Sequence, residues 1–208
     1  MRSLAVVALL PVLALAGCGD DPQAATEGNF KKALNQHYEK SCIPVGEQFV
    51  FTMGKADFPY TVEGDDTRPW DALTSAGLLS VKDETVQKPV LFGMGTQTVH
   101  QKTYSLTEMG KAARYRNSFQ FCAGRYAVTS IDHFSEPGTV PGGGQKISEV
   151  VFHVTATDVP DWARNPNIQK AFPELVTALQ KDSVQKAVMV QTNKGWMDAD
   201  DFNAATTN

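Results

Sequence analysis

An apolar stripe at helical spacing begins shortly after residue 28. Phe30, Leu34 and Tyr38 are four residues apart, which places their side chains on one face of a helix. Pro44 disfavours helical backbone in the residue before it, so the helix is expected to end near Ser41. The pattern predicts one amphipathic helix that packs by this face.

A second helical pattern starts at Thr67-Arg68-Pro69-Trp70, where the proline suits the first turn of a helix. Gly77 suits the left-handed backbone that ends a helix, and a short strand is predicted at 78–81. After a polar stretch, residues 90–106 predict two strands around a glycine-rich turn, followed by a helix over 108–116.

The pattern changes to strand-like alternation from Phe119 onward. Two long strands are predicted at 121–134 and 146–157, joined by a turn rich in glycine and proline, and antiparallel pairing is the simplest topology. Pro166 and Pro173 predict two short helices, and a last strand covers 187–192. This order of elements indicates an α+β fold with a small antiparallel sheet and packed helices.

The composition and net charge of the chain argue against some classes of binding partner. Apolar residues make up 42% of the chain, and 19 basic against 23 acidic residues give a formal charge of −4. A mildly acidic surface argues against binding to nucleic acid or to anionic lipid headgroups. No transition-metal or cofactor motif is recognisable in the sequence.

The N-terminus carries Arg2, then an apolar run over 4–15, then Leu15-Ala16-Gly17-Cys18. This layout is typical of a secretory signal peptide, and its ending resembles the lipobox of bacterial lipoproteins. The resemblance implies cleavage after residue 17, lipid on Cys18 and attachment to a membrane of the cell envelope. Gly19 after the cysteine resembles sorting to the periplasmic face of the outer membrane rather than to the inner membrane. The alternative is an uncleaved anchor, for which the run is short.

The other two cysteines, Cys42 and Cys122, form a pair once Cys18 is assigned to lipid. Proteins of an oxidising compartment use such pairs as disulfides. The alternative is two unrelated buried thiols.

The middle of the chain reads Trp70-Asp-Ala-Leu-Thr-Ser-Ala-Gly-Leu-Leu79, then a predicted hairpin, then Tyr104-Ser-Leu-Thr-Glu-Met-Gly110. This sequence resembles the winged-helix unit of several bacterial transcription regulators. The resemblance implies shape and not DNA binding, because the segment follows an export signal and lacks a surface rich in Lys and Arg.

These observations divide the chain into five parts. A signal peptide over 1–17 precedes a tether over 18–28, a winged-helix-like helical half over 29–118, a small α+β sheet half over 119–197, and a polar tail over 198–208 that is expected to fray.

Catalytic groups are sparse. Asp132 and His133 are adjacent, and adjacent strand residues point to opposite faces, so contact between them is not expected. His153 lies on the neighbouring strand and can face His133, but two histidines are too few for a metal site. The acidic residues of the tail are interpreted as solvated rather than as a calcium site.

Trp70, Trp162 and Trp196 each lie near the end of a predicted element with an aspartate close by. Such residues can anchor a partner interface. The alternative is that all three fill the core.

The sequence therefore favours a non-catalytic binding or accessory module on the cell envelope, with an envelope protein or glycan as partner. One form of this hypothesis is an immunity-type inhibitor whose acidic surface neutralises a basic toxin. The alternative is a hydrolase of cell-wall or lipid substrates that uses His133 or His153 as the base.

Overall fold

The computed structural model describes residues 21–46, 57–64, 67–90, 95–116, 118–139 and 142–207. The signal peptide, the lipobox and Cys18 lie outside these ranges. Within them the helices are α1 Glu27–Lys40, α2 Arg68–Ser75, α3 Glu108–Ala113, α4 Pro166–Ala171, α5 Pro173–Ala178 and α6 Ala199–Thr206. A 3₁₀ turn covers Asp161–Arg164.

The strands form three antiparallel sheets. Their bounds are β1 Pro44–Val45, β2 Tyr60–Glu63, β3 Leu79–Pro89, β4 Thr96–Leu106, β5 Phe121–Cys122, β6 Arg125–Phe134, β7 Gly138–Thr139, β8 Lys146–Thr157, β9 Ser183–Thr192 and β10 Gly195–Asp198. The largest sheet has the order β10-β9-β8-β6, with β7 on the first residues of β8. A second sheet has the order β2-β4-β3, and β1 pairs with β5. The α+β class is confirmed.

Helix α1 covers one face of the largest sheet. Phe30 and Leu34 are fully buried there against Phe152 and Trp196, and the ring of Phe30 lies 4.8 Å from that of Trp196. The helix begins where the Thr26 hydroxyl accepts a hydrogen bond from the Asn29 amide. The prediction of this helix from its apolar stripe is confirmed.

Two side chains of α1 also reach the outer edge of the sheet. The Val128 amide donates to Asn35 Oδ1 at 2.9 Å, and Lys31 Nζ donates to the Thr129 carbonyl oxygen at 2.7 Å. Backbone groups of edge strand β6 are therefore bonded by the helix.

The other core contains α2, the base of the β3–β4 hairpin, and helices from the second half of the sequence. Trp70 lies between Tyr60 and Tyr104, with ring centroids 5.4 Å away on each side. Ile168 and Phe172 are fully buried in the same cluster. The sequential division at residue 118 therefore does not separate the two cores: α1 packs on the later sheet, and α4 packs beside α2.

The first strand of the hairpin was predicted in the wrong place. Residues 82–89, interpreted as a polar stretch before the strands, belong to β3, which pairs with β4 from Leu79↔Leu106 to Pro89↔Thr96. Most of β3 is exposed, so its side chains are polar and show no apolar alternation.

Both ends of the described chain are more ordered than predicted. Trp196 Nε1 donates to the carbonyl oxygens of Gln23 and Ala24, each at 3.1 Å, so residues of the predicted tether pack on the sheet. The tail, predicted to fray, forms α6, which the Asp198 carboxylate caps by accepting from the Asp200 amide.

Helix α6 lies beside the end of α1. His37 Nδ1 is 3.3 Å from Asp201 Oδ1 and 3.7 Å from Asp198 Oδ1. Tyr38 lies in the same region. Its burial is the main reason why its pKa is raised to about 12, and the negative charge of Asp198 and the neighbouring Tyr126 raise it further.

None of the helices within the described ranges is both long enough and apolar enough to cross a membrane.

Candidate functional site

A cleft of about 930 Å³ opens where α3 meets the segment that follows β8. One face of α3 forms part of its wall through Met109, Ala112 and Ala113, which are three and four residues apart on the helix. Trp162, in the 3₁₀ turn, also lines the cleft. Met109 is 48% exposed, so an apolar and flexible side chain is available at the surface of the cleft.

The remaining wall comes from the junction between β5 and β6. Gly124 has a φ of 130°, and a β-carbon on it would lie 2.7 Å from the Thr157 carbonyl oxygen. Only glycine allows this approach of the two chains. The sequence analysis predicted one continuous strand over 121–134, and the structure instead has two strands, β5 and β6, separated by residues 123 and 124.

Charged and amide side chains also line the cleft. Arg125 follows Gly124 directly, Asp158 lies in the loop after β8, Asp161 begins the 3₁₀ turn, and Asn165 lies between that turn and α4. Asp158 has a φ of 52°, a conformation that aspartate tolerates better than most residues. The lining of the cleft therefore combines apolar side chains with charged and amide side chains.

The structure brings Cys42 and Cys122 together at the cleft, with their Cα atoms 5.6 Å apart. Cys122 is one of the lining residues. The Ile43 amide donates to the Gly124 carbonyl oxygen at 2.8 Å, and the Ala123 amide donates to the Ile43 carbonyl oxygen at 2.9 Å. The end of α1 is thereby held beside β5.

Residues 106–110, Leu-Thr-Glu-Met-Gly, belong to the sequence that resembles a winged-helix unit, and their contacts at the base of the β3–β4 hairpin explain the threonine and the glycine. The Thr107 hydroxyl donates to the Gly77 carbonyl oxygen at 2.6 Å and accepts from the Gly110 amide at 3.0 Å. A β-carbon on Gly110 would lie 2.0 Å from the Leu78 carbonyl oxygen. These contacts fix α3 against the residues that follow α2.

A cluster of four polar residues, called here the Asp71 cluster, lies at the other end of α2. The Asp71 carboxylate accepts from the Thr67 hydroxyl at 2.6 Å, from the Tyr104 hydroxyl at 3.0 Å and from Lys102 Nζ at 3.2 Å. Partial burial raises the pKa of Asp71, but these donors outweigh it and hold that pKa below its ordinary value. Burial and the hydrogen bond to Asp71 raise the pKa of Tyr104.

A second cavity of about 570 Å³ lies between α2 and α4. Arg68 and Lys170 place two cations on its lining, beside Asn167 and the apolar Ala72. Ser75 lines both this cavity and the cleft. Sequence reasoning missed this arrangement because the lining residues come from segments about 100 positions apart.

The histidines proposed as bases lie on the sheet and line neither the cleft nor the second cavity. His133 Nδ1 is 2.9 Å from Asp132 Oδ2, which corrects the expectation that these neighbours do not touch. The register shifts between Ile131 and His133, and this bulge turns two adjacent side chains toward each other. His153 Nδ1 is 2.9 Å from Asp182 Oδ1, so each imidazole binds a different carboxylate.

The three tryptophans are buried. Trp70, Trp196 and Trp162 are 3%, 7% and 8% exposed, so they fill the core, which is the alternative that the sequence left open. Of the three, Trp162 also lines the cleft. Across the described ranges, no group of three His, Cys, Asp or Glu residues is arranged to hold a metal ion.

The chain was compared with protein families, with curated proteins and with solved structures. No family model, no curated protein and no solved structure matches this chain.

Proposed function

We propose that this protein is a non-catalytic binding module of the bacterial cell envelope, held on a membrane by lipid on Cys18. The observation that carries the proposal is the cleft, whose lining combines apolar side chains of α3 with charged and amide groups. Ligand sites in proteins have this composition: an apolar wall gives affinity, and a few polar groups fix orientation. We propose the periplasmic face of the outer membrane rather than the inner membrane, because Gly19 follows the cysteine of the lipobox-like sequence.

The helices and hairpin between residues 67 and 113 are proposed to be a winged-helix-like unit used for protein contact. Thr107 and Gly110, which carry part of the resemblance, pack the hairpin base against Leu78 and do not form a basic surface. The resemblance is thus accounted for by packing, and a fold can be reused without its activity.

An envelope protein or a glycan is the proposed partner class. The immunity-type form of the proposal assigns a basic toxin to the cleft, and Asp158 and Asp161 supply two acidic groups on its rim. The hydrolase alternative depends on the His133–Asp132 and His153–Asp182 pairs, which orient each imidazole by a hydrogen bond.

Site-specific photo-crosslinking in living cells tests the binding proposal. A photoreactive residue at Met109 is expected to form a covalent adduct with an envelope component, because this side chain is exposed inside the cleft. The matched control is the same residue at Val176, which is 44% exposed on α5 and does not line the cleft.

A second substitution distinguishes specific capture from random labelling. Ala113→Arg fills the cleft with a bulky charged group and is expected to abolish the adduct at position 109. Equal labelling at positions 109 and 176, or an adduct that persists in the Ala113→Arg variant, would contradict the proposal.

A further inference from the structure

The disulfide between Cys42 and Cys122 is accessible to solvent at the cleft. Both cysteines are partly exposed, and of the two it is Cys122 that lines the cleft. Other residues of the lining are small, since Gly124 has no side chain and Ala112 and Ala113 each carry one methyl group. A ligand in the cleft therefore has access to Cys122.

The two segments that carry the cysteines are also held together by contacts that do not involve sulfur. Strands β1 and β5 pair there, and backbone hydrogen bonds from the Ile43 amide to Gly124 and from the Ala123 amide to Ile43 extend the pairing. Ile43, Phe121 and Ala123, which are neighbours of the cysteines in the chain, are buried in the core. Cleavage of the disulfide therefore leaves two thiols side by side, where the bond forms again readily.

These two properties are the ones that reversible thiol–disulfide exchange requires. Exchange starts when a thiolate attacks one sulfur of a disulfide, so its rate depends on access to that sulfur. Its reversal requires that the released thiol stay close to the sulfur that it left. Access is provided at Cys122 by the cleft, and closeness is provided by the pairing of β1 with β5.

We infer that the disulfide Cys42–Cys122 is exchangeable and that Cys122 forms a mixed disulfide with a thiol bound in the cleft. The ligand thiolate attacks Cys122 Sγ and forms a new S–S bond, while the bond to Cys42 breaks and Cys42 leaves as a thiolate, which takes up a proton. Attack by the Cys42 thiolate on Cys122 Sγ reverses both changes and releases the ligand, so the cycle consumes no oxidant or reductant. The inference rests on the proposed binding function and gives the chemical class of the ligand.

Exchange with 2-mercaptoethanol tests the inference on the full chain, purified as the cell processes it. This thiol is small and uncharged, so the charges of the cleft do not decide its entry. A short pulse of the thiol is followed by iodoacetamide, which alkylates each released thiol, and mass spectrometry of peptides locates both groups. We expect mercaptoethanol on Cys122 and the alkyl group on Cys42. The opposite arrangement, an equal mixture of the two, or a disulfide that stays intact would overturn the inference.

The effect of urea distinguishes exchange in the folded protein from exchange after unfolding. Addition of about 1 M urea is expected to change the rate constant by less than about twofold, because Cys122 is accessible without unfolding. A disulfide that is reached only by global unfolding would exchange faster by between about fivefold and a hundredfold, as the unfolded population rises. An increase of that size would overturn the inference.

Two tryptophan substitutions test whether the thiol enters through the cleft. Met109→Trp places an indole in the cleft and is expected to slow exchange about tenfold, which corresponds to a barrier higher by about 1.4 kcal/mol. Val176→Trp is the matched control, because position 176 is also exposed but does not line the cleft, and its rate is expected to stay within about twofold. Equal rates in the two variants would overturn the inference.

Cells that produce Cys42→Ser show whether the thiol comes from a small molecule or from a protein, since Cys122 then lacks the residue that releases the ligand. A small thiol or a protein joined to Cys122 by a bond that dithiothreitol cleaves supports the inference and identifies the source. The matched variant Cys122→Ser is expected to carry no such group on Cys42. A free Cys122 thiol in the first variant, or equal modification of both variants, would overturn the inference.

The crosslinking result at Met109 is independent of these measurements. An adduct there combined with no exchange at Cys122 would retain the binding function and reject this inference alone.

Discussion

Gly110 lies directly against Leu78: a β-carbon at position 110 would stand 2.0 Å from the Leu78 carbonyl oxygen. This contact joins α3 to the end of α2 and thereby shapes one wall of the cleft. Because the obstructing atom belongs to the backbone, a side chain cannot be accommodated by a change of rotamer.

Gly110→Ala is therefore expected to lower the free energy of unfolding by about 3 kcal/mol, the upper range for overpacking a core. Urea unfolding of the variant measures this change. Gly28→Ala is the matched control, since a β-carbon at position 28 meets nothing within 4 Å in α1 and alanine favours helix. Equal stability of the two variants would contradict the packing argument.

How well the sequence predicted the fold depended on burial. Strand β8 was predicted with the observed bounds, Lys146–Thr157, and α1 followed from a stripe that is buried on one side. Strand β3 was not found over residues 82–89, because a ribbon exposed to solvent needs no apolar alternation. The contact between Asp132 and His133 depends on a bulge, which local alternation does not encode.

The cleft and the second cavity could not be predicted from the sequence, for a different reason. Their walls combine α2, α3, α4 and the junction at Gly124, and only tertiary packing sets which of these elements meet. No periodicity in the chain links Arg68 with Lys170. The apolar positions of α3 gave the nearest signal, since Met109 and Ala113 lie on one helical face.

Reduction of the pair Cys42–Cys122 is expected to destabilise the fold. The bond closes a loop with a sequence separation of 80, for which the chain-entropy model gives up to about 4.5 kcal/mol. Urea unfolding with and without dithiothreitol measures the loss, and intact mass shows the two hydrogens gained. Two free thiols in the natively purified protein would refute the bond.

The Asp71 cluster predicts a dependence of stability on pH. The folded-state pKa of Asp71 is lowered, so the stabilisation that its charge provides is complete above pH of about 4 and is lost as pH falls through the folded-state pKa. Asp71→Asn is expected to be less stable than the parent at pH 7, and the difference should shrink toward pH 2.

The exposed acidic residue Glu174 provides the control for this titration. Glu174→Gln is expected to change the free energy of unfolding by less than about 0.5 kcal/mol at each pH, as surface substitutions do. A difference between Asp71→Asn and the parent that stays constant from pH 7 to pH 2 would show that the carboxylate charge is not responsible.

The double variant His133→Ala, His153→Ala separates binding from hydrolysis. Both side chains lie outside the cleft, and His133 is 69% exposed, so the adduct at Met109 and the unfolding midpoint are expected to persist. Assays on cell-wall and phospholipid substrates are expected to give background rates for parent and variant alike. Turnover by the parent that the double variant lacks would establish the hydrolase alternative.

Cys18→Ser is expected to prevent incorporation of labelled palmitate, because the proposed lipid is attached through the thiol. Globomycin is expected to cause accumulation of the uncleaved precursor. The control is the double variant Cys42→Ser, Cys122→Ser, which retains Cys18 and should still be labelled. Palmitate incorporation that survives Cys18→Ser would remove the basis for the envelope location.

The bonds from Lys31 and Asn35 to strand β6 bear on how copies of this protein tolerate crowding. In the lipid-anchored state that we propose, copies of the protein meet side by side in the plane of the membrane. Under such conditions an unpaired edge strand can pair with a strand of another copy and start aggregation. Here an incoming strand finds Val128 and Thr129 already engaged by the helix. An incoming strand therefore cannot pair with these two backbone groups of β6 unless the contacts from α1 are broken first.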